Sequence, residues 1–189
     1  MIYKLSEDYI NTCSLLIDNV ELATKMPAYR PRFFAKPRKE EWVMPNATFF
    51  YGESIEEMKE DLPDVTIWTS GVLVFNPKAY EVFHDSLAKA GEFLPVSVYG
   101  ETYHLFNTLY VIPDMAIDKS KAIEIIDTGV HLGQTNVTFD EEFLIHEKIL
   151  VFKSNTNRLL HSFCTEEFKK SYEDNNFIGL IFEDLCSGH

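Results

Sequence analysis

The chain has 189 residues, 46% of them apolar, and a formal net charge of −13. That composition is globular and long enough for one sizeable core, and no apolar run approaches the roughly 20 residues that span a bilayer. The charge opposes direct contact with nucleic-acid phosphate or anionic lipid and favours basic partners.

In chain order, Ile2 to Leu5 reads as an edge strand. Ile10, Cys13, Leu16, Ile17 and Val20 recur at three- and four-residue spacing, which predicts a short helix within 8–20. Segment 22–48 is broken by Pro27, Pro31, Pro37 and Pro45, each of which removes a backbone donor and restricts its predecessor. It reads as an irregular arm anchored by Phe33, Phe34 and Trp42. The arm holds six cations (Lys25, Arg30, Arg32, Lys36, Arg38 and Lys39), and no acidic residue falls between Leu22 and Lys39. From Glu40 onward there are 26 acidic and 10 basic residues. The protein is thus an acidic body with a basic arm. Ser54 and Glu57 have capping-box spacing and predict one or two helical turns.

Beyond Pro63 the pattern is more regular. Val65–Trp68 and Gly71–Phe75 read as strands, the second buried. Asn76-Pro77 starts a helix, with Tyr80, Val82, Phe83 and Leu87 as its apolar stripe and Gly91 as its end. Phe93–Tyr99 and Tyr103–Ile112 form a hairpin around Gly100-Glu101, and Pro95 places its first strand at an edge or bulge. Segment 113–136 is weakly patterned, with a short strand near Ala122–Ile126 and loops at Gly129 and Gly133. Asp140–Leu144 reads as a helical turn and Lys148–Lys153 as a buried strand. Thr165 caps a helix that stops near Asn175-Asn176, and Phe177–Phe182 is the last strand. Two units echo one another: Val72–Phe75 and Ile149–Phe152, each followed by a capped helix and a strand. The fold class is α+β: a mixed, mostly antiparallel sheet with a few short helices packed on it and an irregular N-terminal arm. An N-terminal lobe, 1–64, and a core, 65–189, form one unit.

The usual constellations for chemistry are missing. There is no phosphate-binding glycine loop and no Gly-x-Ser-x-Gly elbow. Cys13, Cys164 and Cys186 are too widely spaced for a zinc half-site or a disulfide framework, and no two histidines stand four apart. No catalytic residue, metal or cofactor is therefore assigned. The odd cysteine count and the N-terminus, which has no signal-peptide pattern, point to the cytoplasm. Paired carboxylates such as Glu40-Glu41, Glu56-Glu57 and Glu166-Glu167 read as solvated faces. One pair is worth checking. Cys164 sits at a predicted helix start, where a thiolate is stabilised, and His161 lies three residues earlier. The arm has two readings, a solvated loop folded on the acidic body or a recognition element. In the second reading Arg30, Arg32, Lys36, Arg38 and Lys39 contact an acidic or phosphorylated partner, with Arg30 and Arg32 able to pair with carboxylates in bidentate fashion.

The order Ser70–Asn76, Glu92–Val96, Tyr103–Leu109, Thr165–Phe168 and Ile178–Glu183 resembles a large bacterial family of small proteins that includes predicted immunity proteins of polymorphic toxin systems. The resemblance covers roughly residues 65–185 but not the loop 113–136, and the arm matches less well. It implies a cytoplasmic protein that binds and neutralises a cognate toxin, needing no chemistry of its own. An acidic surface suits a basic toxin. Two rival readings stay open: a small hydrolase or transferase using His161 and Cys164, and a scaffold subunit that self-associates through an edge strand.

Overall fold

The computed structural model describes residues 1–27, 32–50 and 62–185. These residues form four α-helices and fourteen strands, mostly antiparallel with one parallel ladder, so the fold is α+β with a mixed sheet. The turns predicted at Ser54–Glu57, the cation Arg30 and the third cysteine, Cys186, lie outside the described residues.

The larger sheet has six strands in the order β2 (Ser14–Ile17), β3 (Asn46–Phe50), β6 (Gly91–Val98), β7 (Glu101–Thr108), β5 (Val72–Phe75) and β4 (Val65–Thr69). It curls until its outer strands β2 and β4 touch. Strand alternation splits its side chains into two cores. Val72, Val74, Leu94, Val96, Val98 and Leu105 face the concave side. There they meet Cys13, Leu15 and Ile17 from the N-terminal segment, Leu22 of helix α1 (Asn19–Lys25), and Phe33. Leu73, Phe75 and Phe106 face the other side. β5 is buried at every position because both of its faces are covered, which is why it reads as an unbroken apolar run. Each such fully buried side chain contributes about 1.5–3 kcal/mol of transfer free energy.

The smaller sheet has the order β12 (Val151–Phe152), β13 (Phe163–Thr165), β1 (Ile2–Glu7) and β14 (Leu180–Asp184). Helices α2 (Pro77–Leu87) and α4 (Glu166–Asp174), with the short α3 (Glu141–Glu147) between them in the chain, meet in the core that the two sheets share. The rings of Phe83 and Phe168 lie 4.7 Å apart, centroid to centroid. Asn76 caps α2 as its sequence predicts, its side-chain oxygen accepting from the Ala79 amide at 2.8 Å. Thr165 does occupy the position before α4, but its hydroxyl makes no capping bond.

Several expectations are corrected. Ile2–Leu5 lies inside β1, an inner strand and not an edge, because β14 pairs along its second side. The helix predicted within 8–20 is a turn followed by β2. Cys13, Leu15 and Ile17 are buried with a period of two, while Ile10, Leu16 and Val20 are exposed. Pairing with β3 selects the strand period over the helical one. Within the arm, Phe33 is fully buried and the Trp42 indole donates to the Pro95 carbonyl at 2.8 Å, but Phe34 is exposed. Gly91 does not end α2. It opens β6, where a Cβ would stand 2.3 Å from the Asn107 carbonyl oxygen. Pro95 is accommodated because β3 reaches only Ser97 and Val98. A strand residue points its nitrogen and carbonyl to the same side, so Pro95 lacks a donor only where the Trp42 side chain has replaced the ladder.

The internal echo is real but offset from its predicted position. β5 and β6 are parallel strands joined by α2, with β7 inserted between them. β13 and β14 are parallel strands joined by α4, with β1 inserted between them. The equivalent of β5 is therefore β13, and not Ile149–Phe152. With that alignment each strand leads directly into its helix. The insertion of β1 into a sheet of C-terminal strands, and of β3 beside β6, also ties residues 1–64 into the body of 65–185.

Candidate functional site

Among the described residues, segment 113–139 stands largely outside both cores. It is a two-level antiparallel ribbon. Its base pairs β8 (Ile117–Asp118) with β11 (Thr138–Phe139), and Ile117 and Phe139 are buried there. Its tip pairs β9 (Ile123–Asp127) with β10 (Val130–Thr135). Every residue of β9 is exposed, and Ile123, Ile125, Ile126, Val130 and Leu132 are between 40% and 64% accessible. The loop expected at Gly129 is the turn of this hairpin. Thr128 and Gly129 both have positive φ, at 47° and 81°, the geometry of a two-residue turn that matches strand twist. The loop expected at Gly133 is instead a bulge between His131 and Gly133. On one face the Glu124 carboxylate accepts from Gln134 at 2.6 Å and pairs with His131. These contacts, the Gln134 bond first, hold its pKa below the usual carboxylate range.

The hairpin is seated on the body at one tight point. Gly133, at φ 144°, lies against the short 3-10 turn Asn155–Asn157, and a Cβ there would be 2.6 Å from the Thr156 carbonyl oxygen. The Arg158 guanidinium reaches the His131 carbonyl at 3.5 Å. Beneath the seat the Asn157 carboxamide is buried, and neither its oxygen nor its nitrogen has a hydrogen-bond partner. Each such unsatisfied group costs about 1–3 kcal/mol. Between the hairpin and the open face of the smaller sheet is a cavity of about 360 Å³. Lys4 and Phe163, cross-strand partners on β1 and β13, form part of its floor, and Leu160, His161 and Leu185 form part of its rim. Lys4 is bound to Glu183 at 2.9 Å. Burial lowers the His161 pKa, Lys4 and Lys153 add to that effect, and Glu183 opposes it.

The structure does not bring His161 and Cys164 into one cleft. Cys164 is fully buried in the shared core, facing away from the cavity that Phe163 lines, and burial pushes its thiol well above the ordinary range. Helix start or not, desolvation dominates there.

The basic arm is divided. Arg32, Lys36 and Lys39 are exposed. Arg38 is mostly buried, bound to Glu41 at 2.5 Å with its guanidinium 5.5 Å from the Phe33 ring centre. Glu92 from the body fastens the arm through backbone amides, accepting from Arg38 at 2.5 Å and Lys39 at 3.3 Å, and from the Asn107 side chain at 2.8 Å. The carboxylate of the body thus meets the arm's main chain and not its cationic side chains.

Lys153 is a perturbed residue that no sequence pattern marks. It is fully buried, and its ammonium donates to the Ser70 carbonyl at 2.8 Å and the Leu159 carbonyl at 3.2 Å, tying two turns together. Burial pulls its pKa down to about 8. Nothing in the run Ile149–Lys153 distinguishes a strand-end lysine in solvent from one folded inward.

Among the described residues, no group of three or more His, Cys, Asp or Glu is placed to hold a metal ion, and no helix is long and apolar enough to cross a membrane. No protein-family model matches the chain, and no curated protein matches it by sequence.

Proposed function

We propose that this chain is a protein-binding module of the immunity type, which neutralises a cognate bacterial toxin by stoichiometric association in the cytoplasm. The observation that carries the reading is the β9–β10 hairpin, a strand pair that offers five large aliphatic side chains to solvent on a buried base. A two-stranded hairpin alone is marginal in water, and exposed apolar side chains gathered on one such element mark interaction sites. The hairpin falls in the segment that the family resemblance leaves out, and differences of that sort set partner choice. The net charge of −13 would steer a basic toxin toward the surface. Exposed Arg32, Lys36 and Lys39 offer a second, charged contact for acidic stretches of the same partner.

Calorimetric titration with the product of a toxin gene encoded beside this one tests the reading. A 1:1 complex that weakens as salt rises is the expected result. A neighbouring toxin that does not bind, or the absence of any such gene, would overturn it.

A further inference from the structure

Resting on that protein-binding reading, we propose that the cavity beneath the β9–β10 hairpin receives an apolar side chain carried on a basic peptide segment of the partner, with the hairpin as its lid. The cavity's size, about 360 Å³, lies at the low end for ligand pockets and suits one or two side chains. Its apolar walls are Ile125 and Leu132 from the lid and Val137, Leu160, Phe163 and Leu185 from the body. Anchoring by one apolar group in a desolvated pocket is how a small interface concentrates its affinity.

Charge selects the kind of segment that carries the anchor. Lys4 and Glu183 on the adjoining sheet pair with each other, which leaves Glu124 and Asp127 on the lid against Arg158 beside its seat. A basic segment is drawn to this rim and an acidic one is repelled. The lid is held to the body where Gly133 lies against the turn Asn155–Asn157, a place with room for its backbone but not for a Cβ.

The test uses the full chain, labelled with nitrogen-15, and two five-residue probes blocked at both ends: Lys-Leu-Lys-Phe-Lys and Glu-Leu-Glu-Phe-Glu. The basic probe should shift the amides of 132–137 and 160–163 saturably and bind at least tenfold tighter than the acidic one. Leu160→Trp, which fills the cavity without adding charge, should weaken the basic probe at least tenfold while leaving the melting temperature unchanged. Equal binding of the two probes, shifts confined to other surfaces, or indifference to L160W would each overturn the proposal. So would tighter binding in the cavity by the small aromatic anion anilinonaphthalene sulfonate, which would make it a small-molecule site. A toxin that binds wild-type and L160W protein equally would remove the cavity from the interface and leave the protein-binding reading standing.

Discussion

Strands β6 and β7 face each other over eight residue pairs, from Gly91 opposite Thr108 to Val98 opposite Glu101, whereas β9 and β10 manage five pairs with a bulge. Both hairpins close with the same device, a residue and a glycine at positive φ: Tyr99-Gly100 in the first and Thr128-Gly129 in the second. Their fates differ because of what lies beside them. β6–β7 is flanked by β3 and β5 and covered on both faces, while among the described residues β9–β10 has no further strand on either edge. Turn chemistry makes a hairpin, and its neighbours decide whether it serves as scaffold or as exposed surface.

That contrast predicts a steep gradient of mutational effects. Phe106→Ala in β7 should destabilise the protein by about 3–5 kcal/mol in urea unfolding, since Phe106 is fully buried in the shared core. Ile126→Ala in β9 should stay within about 0.5 kcal/mol. Similar costs at the two sites would break the comparison.

The next effect is a pH dependence. The folded pKa of Lys153 is depressed to about 8 from 10.5, so between those values the unfolded chain binds more protons and stability rises with pH. The gain from this group is about 3 kcal/mol at most. Tyr3 and Tyr172, raised to about 12, act in the opposite direction above pH 10, because the unfolded chain then loses protons that the folded one keeps. The unfolded Cys164 thiol ionises near its ordinary value of 9.0 while the buried one stays protonated, which also opposes Lys153, so the window in which Lys153 acts alone is about pH 8 to 9. Urea titrations there should show rising stability in the wild type and a flat profile in Lys153→Met.

Smaller still are the turn glycines. A Cβ at Gly100 or at Gly129 meets open space, so alanine at either costs only its positive φ, about 1 kcal/mol. Gly100→Ala should lower global stability by that amount. Gly129→Ala should leave it nearly unchanged and speed amide exchange in 123–135 alone, because the tip opens locally. Equal global losses would show that the tip is part of the cooperative core.

How much of this was readable beforehand follows the same division. The Asn76-Pro77 start, the buried run of β5 and the β6–β7 hairpin were legible because local pattern and tertiary burial agree there. β2 was not, since Leu16 and Val20 complete a helical spacing that only pairing with β3 overrules. Of the exposed hairpin, the strand near Ala122–Ile126 is legible and β10 is not, although Asp127-Thr128-Gly129-Val130 is a turn signal of the same kind as Val98-Tyr99-Gly100-Glu101. Ile125-Ile126 breaks the alternation that marks a half-buried strand, because no core lies against β9 to enforce it. The cavity and the inward fold of Lys153 come from contacts across more than eighty residues, such as Lys153 with Ser70, and no local pattern encodes them.

The central claim is that the exposed hairpin is the surface that binds a partner. Hydrogen exchange of the full chain, with and without the proposed partner, the product of a neighbouring toxin gene, tests this most directly. Protection gained over residues 123–137, and abolished along with at least tenfold of the affinity by Ile126→Asp, is the predicted result. Protection confined to the arm at 32–41, with Ile126→Asp binding normally, would contradict it.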